Sequence, residues 1–143
     1  MQTEDKNLRP KVGIGVLLFK EGKLLLGKRT SALGLGEYSI PGGHMEYNES
    51  FEECARREVR EETGLEVGNV RFLSLANNKK YFPKHYVEIH FVADWEEGEP
   101  KTIEPDKIGD WSWYDLDKLP EPLFALLLNS FDALKTGKNF YDA

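Results

Sequence analysis

The chain has one cysteine, Cys54, among 143 residues, so no internal disulfide can form and a reducing compartment suits it. Long apolar runs are missing too. No segment approaches the roughly 20 residues that a membrane span needs, and Met1 to Pro10 is polar and charged, unlike a signal peptide. A cytoplasmic protein that does not engage a membrane is the expectation. A basic surface is also lacking: 19 Lys and Arg face 25 Asp and Glu, a formal net charge of −6. That balance argues against a protein that coats nucleic acid. It is compatible with a small anionic ligand, because a bound cation can reverse the sign of an acidic site.

Internal repeats and low-complexity tracts are absent as well, and what remains reads as one domain. A chain of this length buries about two-thirds of the surface its unfolded form exposes. Residues 1–10 are expected to be a flexible tail and 11–143 the domain. Val12 to Phe19 reads as a buried strand, Glu21-Gly22 as a turn and Lys23 to Lys28 as the returning strand. Glu37 to Ile40 is a short strand, followed by a sharp Pro41-Gly42-Gly43 turn where backbone can approach a ligand. A helix follows from 51 to 62, with Asn48 or Ser50 to cap its start and Gly64 its end. Glu66 to Ala76 and His85 to Trp95 read as strands around a loop at 77–84. Glu96 to Gly109 is polar loop, Trp111 to Tyr114 a strand, and Leu123 to Leu134 a terminal amphipathic helix. These elements specify an α/β fold, a mixed sheet between helices.

The helix at 51–62 carries acid where a core should be. Its inward stripe, at spacings of three and four, is Phe51, Cys54, Ala55, Glu58, Val59 and Glu62, with Glu61 alongside. Unpartnered buried carboxylates are costly, so a cation between them is the natural reason for the pattern. Oxygen ligands with no His or Cys suit Mg²⁺ or Mn²⁺ better than zinc. The bland alternative, a solvated face of ion pairs, fits Glu52, Glu53, Arg56 and Arg60 but not Glu58 and Glu62. Cys54, on the same stripe, reads as a small core residue.

Gly43, Glu49, Arg57, Glu58, Val59, Glu61, Glu62, Gly64 and Leu65 together resemble the signature of the Nudix hydrolases at every defining position. The resemblance implies the family's α/β/α sandwich and hydrolysis of a nucleoside diphosphate linked to a further group. It implies Glu58, Glu61 and Arg57 as the catalytic set, with Arg57 orienting the carboxylates. The carbonyl of Gly42 with Glu58, Glu61 and Glu62 would be the metal ligands. Glu49 would lie in the outer shell, and Glu104 or Asp106, in the loop before the penultimate strand, would be a further acid ligand or simply solvated.

Flanking stretches extend the likeness: Leu26-Gly27-Lys28-Arg29, Pro41 to Glu46, Phe51 to Ala55, and Glu104 to Lys107 ahead of Trp111-Ser112-Trp113. They resemble small nucleoside triphosphate diphosphatases that act on oxidised guanine or thiopurine nucleotides. This implies release of pyrophosphate from a triphosphate, with Arg29 and Gly43 on the substrate, and a homodimer. Trp111 and Trp113 point the same way along their strand and read as packing. The runner-up is an ADP-ribose or nucleoside diphosphate sugar pyrophosphatase. Tyr81 falls near a tyrosine of dinucleoside polyphosphate hydrolases, a weaker option. A non-catalytic nucleotide sensor is the alternative outside enzymes, but such domains commonly lose signature glutamates and none is missing here.

Overall fold

Strand alternation in the first hairpin builds two cores at once. The computed structural model describes residues 8–142, with β1 at Lys11–Lys20 and β2 at Lys23–Arg29. Successive side chains of a strand point to opposite faces. Ile14, Val16 and Leu18 therefore pack on one side with Cys54, Ala55 and Val59, while Leu17 packs on the other with Leu127 and Phe131. Each fully buried Leu or Val contributes roughly 1.5–3 kcal/mol.

The later elements are β3 (Tyr38–Ser39), β4 (Gly42–His44), α1 (Phe51–Thr63), β5 (Val67–Asn78), β6 (Tyr86–Trp95) and β7 (Ile108–Tyr114). A 3₁₀ turn (Ala125–Leu127), α2 (Leu128–Thr136) and β8 (Phe140–Asp142) complete the chain. The strands form one mixed sheet in the order β3-β2-β1-β6-β5-β8, with β4 on β1 and β7 on β2. α1 covers one face and α2 the other, which is the α/β/α sandwich expected from the sequence. Among the described residues no helix is long and apolar enough to cross a membrane.

One irregularity positions the site. β1 pairs with β6 in parallel from Lys11 to Phe19, but meets β2 only at Phe19 and Lys20. At Gly13, Ile14 and Gly15 it pairs instead with Gly42–His44. The sheet opens there, and a cavity of about 580 Å³ fills the opening.

Several boundaries differ from the sequence reading. The Pro41-Gly42-Gly43 turn becomes the start of β4, because its backbone pairs with β1. β7 begins at Ile108, which is buried and pairs with Arg29. The terminal helix starts later, since residues 122–124 serve the sheet edge first: Tyr38 N donates to Pro122 O and Phe124 N to Tyr38 O, at 2.9 Å each. β8 has no counterpart among the expected elements. Phe51 is 48% exposed, so the inward stripe reaches the core only from Cys54 onward. Most of the expected tail, residues 1–7, lies outside the described residues; Leu8 to Pro10 have no regular structure.

Candidate active site

α1 is fixed at both ends before its carboxylates come into play. Ser50 is the cap: its Oγ accepts from Glu53 N at 3.0 Å, and Glu53 Oε1 accepts from Ser50 N at 2.7 Å. Gly64, at φ 78°, closes the helix in the left-handed region. This places Glu58 and Glu62 on the buried side, 7% and 6% exposed, as the stripe indicates.

Glycine gives them room. A methyl group at Gly43 would collide with the Glu58 carboxylate, and one at Gly42 with the backbone of Ile14. Gly42 N donates to Glu62 Oε1 at 2.8 Å. Burial is the main cause that lifts Glu62 to about 8, opposed by the Gly42 amide and helped by Glu58. Burial raises Glu58 as well, against the pull of Arg57.

Arg57 gathers the acids. Its Nε meets Glu49 Oε2 at 2.6 Å, and its Nη1 meets Glu58 Oε1 at 2.6 Å and Glu61 Oε1 at 3.0 Å. Nη2 donates to the carbonyl of His44 at 3.0 Å, which ties α1 to β4. The hydrogen bonds with Arg57 hold Glu49 down at about 2, and Glu49 in turn raises Arg57. Arg57 thus orients carboxylates, a task that suits its planar fork.

Among the described residues no three His, Cys, Asp or Glu side chains converge as a ready-made cation site. Glu62 spends one oxygen on the Gly42 amide, and Glu58 and Glu61 each spend one on Arg57. The fit to a hard divalent ion still holds: the donors are all carboxylate oxygen, two are buried, and all three line one cavity.

The other expected residues divide. Arg29 and Gly43 line the cavity. Arg29 lies over the Phe124 ring at 4.2 Å and donates from Nε to Leu33 O at 2.8 Å, so part of its fork is committed to its own loop. Burial lowers it, and Glu62 is the foremost charge opposing that. Glu104 is half-buried and weighs on both Glu58 and Glu62, while Asp106 is exposed; neither is part of the cavity wall. Trp111 and Trp113 pack on the core, and Trp111 Nε1 donates to Glu62 O at 3.1 Å. Tyr81 stacks on Phe124, with centroids 5.8 Å apart. Cys54 is fully buried, and burial is the main cause pushing its thiol up to about 12.

Sequence reading missed the far wall: His44, Lys84, Glu88, His90 and Lys107 also line the cavity. The signal for Glu88 and His90 is faint, namely the glycines Gly13 and Gly15 that become their partners across the parallel pair.

The NUDIX domain model matches residues 9–134. The chain belongs to the Nudix family. This Nudix domain is 34% identical over 112 residues to an oxidized purine nucleoside triphosphate hydrolase of Danio rerio, covering 73% of this chain and 66% of that one. It is 33% identical over 118 residues to an ADP-ribose pyrophosphatase of Methanocaldococcus jannaschii, covering 82% and 69%. A crystal structure of a MutT NUDIX hydrolase from Burkholderia pseudomallei superposes with a TM-score of 0.80 at 30% identity, covering 91% of this chain and 99% of that one. Other curated relatives are much longer, and the chain spans 36% of one and 30% of another.

Proposed function

We propose that the protein is a metal-dependent nucleotide pyrophosphohydrolase whose substrate is a nucleoside triphosphate, including one with a modified or oxidised base, cleaved to monophosphate and pyrophosphate. The observation that carries this is the burial of Glu58 and Glu62 beside Gly42-Gly43, in one cavity with Glu61 and Arg57. Mg²⁺, or Mn²⁺ in its place, would be held by Glu58, Glu61, Glu62 and the Gly42 carbonyl, and when bound supplies charge neutralisation on phosphate oxygens and a more acidic water.

The chain's own groups supply the rest. Glu58 or Glu61 accepts the proton of the attacking water. Arg57, pinned by Glu49, keeps both carboxylates aimed while they do so. Arg29 offers the donors not used by Leu33 and Ser31 to phosphate oxygens, and the backbone of Gly43 lies open beside them. Glu104 is better placed than Asp106 to assist as a further acid. The reading extends to a homodimer in the cytoplasm, and light scattering that finds a particle of 16.4 kDa would reject the dimer.

A second reading, ADP-ribose or nucleoside diphosphate sugar hydrolysis, draws support from the Methanocaldococcus jannaschii relative. A non-catalytic sensor is disfavoured because every signature glutamate is present. A hydrolysis screen with Mg²⁺ over triphosphates, ADP-ribose, sugar nucleotides and dinucleoside polyphosphates separates them. Pyrophosphate from a triphosphate supports the first reading; turnover of ADP-ribose alone moves the protein to the second.

A further inference from the structure

On the sheet face opposite α1, lining the same cavity, sits an acid that the hydrolytic chemistry does not use. Glu88, on β6, lines the cavity with its side chain 14% exposed. Among the described residues its only ion-pair partner is His90, at 3.2 Å from Nε2 to Oε1. Among the described residues no lysine or arginine pairs with it, although Arg29, Lys84 and Lys107 line the same cavity. A bare carboxylate repels a polyphosphate, so Glu88 belongs to the part of the site that receives something else.

Its position is built from several elements. Glu88 and His90 project from the same face of β6, the face that His90 shares with Ser130 of α2. The α1 carboxylates come from the other side of the sheet. The charges that weigh on Glu58 and Glu62 are chiefly Arg57, Glu61, Glu104 and Lys107. Glu88 is felt by His44 and, behind Glu62 as the foremost charge, by Arg29. Gly13 and Gly15 of β1 leave the necessary space: a methyl group at the first would strike the Glu88 carboxylate, and at the second the His90 ring.

Ser74 and Ser130 meet through their hydroxyls, Ser130 meets His90 Nδ1, and His90 Nε2 meets Glu88 Oε1, so one chain of hydrogen bonds reaches the carboxylate. His90 and both serines are buried. The chain fixes one Glu88 oxygen and leaves the other without a protein partner among the described residues, on a side chain that lines the cavity. An ionised carboxylate only accepts, so its complement is a pair of adjacent donors.

Resting on the nucleotide-hydrolase reading, we propose that Glu88, positioned by His90 and Ser130, reads the substrate's base by accepting from a ring N–H and a neighbouring exocyclic amino group. Guanine-type bases present that pair. Hypoxanthine lacks the amino group, and adenine sets one donor beside an acceptor. A good two-pronged contact to a base is worth roughly 1–3 kcal/mol of discrimination, or about 5- to 150-fold.

The test is calorimetric binding of GMP, IMP and AMP to the full chain in Mg²⁺, alongside hydrolysis of the corresponding triphosphates. GMP is expected to bind at least about tenfold more tightly than IMP or AMP. Glu88→Gln, of the same size, presents one acceptor beside one donor, so it should abolish the GMP preference and leave AMP binding at least as tightly as GMP. Equal wild-type affinities, or a GMP preference that survives Glu88→Gln, overturns the proposal. Absence of triphosphate hydrolysis with the binding preference intact would instead fault the hydrolase reading, so the two failures are distinguishable. Should Glu88→Gln fold poorly, Glu88→Ser supplies the same comparison, and equal wild-type affinities overturn the proposal without either variant.

Discussion

Glu62 has the Gly42 amide as its one hydrogen-bond donor among the described residues and is otherwise enclosed. Its folded-state value near 8 lies above the ordinary 4.5, so folding takes up a proton between these limits. For an acid raised in this way, stability falls as pH rises from about 4.5 to 8. In chelator at pH 9, Glu62→Gln is therefore expected to melt several degrees above wild type, at roughly 3–6 °C per kcal/mol. The gap should close below pH 4.5, where both states hold the proton. Melting curves across this range check it, and a lower melting point for the variant at pH 9 would contradict it. Gly43→Ala should impair activity because the added methyl displaces the Glu58 carboxylate. A steady-state assay with a circular dichroism control separates that from unfolding. Glu58 and Glu62 were legible in the sequence because a helix repeats every 3.6 residues and the apolar stripe runs straight through them. Glu88 was not, since its meaning depends on a parallel partner, β1, that lies far away in sequence.

α1, the element proposed to carry the chemistry, is stabilised by its ends and by Arg57. Ser50→Ala removes the cap and should cost about 1 kcal/mol, measurable by urea unfolding. Glu49, held near 2 by Arg57 against an ordinary 4.5, contributes stability that is present above pH 4.5 and lost as pH falls toward 2. Glu49→Gln should thus be less stable than wild type at pH 6, with the difference shrinking by pH 3. A constant difference would show that the ion pair does not supply it. The helix and its Gly64 cap were readable from local signals, and its start was narrowed to Asn48 or Ser50, of which the structure selects Ser50. β4, β8 and the late start of α2 were not. Each is decided by a neighbour: β1 for Gly42–His44, β5 for Phe140–Asp142 and the β3 edge for residues 122–124.

Across the whole molecule, two helices on opposite faces of an opened sheet bring unlike chemistry into one cavity. The acids of α1 and Arg57 reach it from one face of the sheet, and Glu88 with His90 from the other. The fold class and the inward Glu58 and Glu62 could be read from periodicity, while the parts expected of Gly42, Glu49, Arg57 and Glu61 came from the resemblance to the Nudix signature. The opening itself could not, because it arises where β1 leaves β2 for β4. An acidic chain with this arrangement should depend on a divalent ion, since Arg57, the cation α1 brings to the cavity, is already engaged by Glu49, Glu58 and Glu61 and leaves a polyphosphate beside these acids unoffset. The most direct measurement is turnover of a nucleoside triphosphate by wild type and Glu58→Gln with Mg²⁺, products followed by phosphorus NMR. Expected are monophosphate and pyrophosphate from wild type, none in chelator, and a loss of about 10²-fold or more in Glu58→Gln. Near wild-type turnover in Glu58→Gln, or undiminished activity in chelator, would contradict the assignment of α1 as the catalytic element.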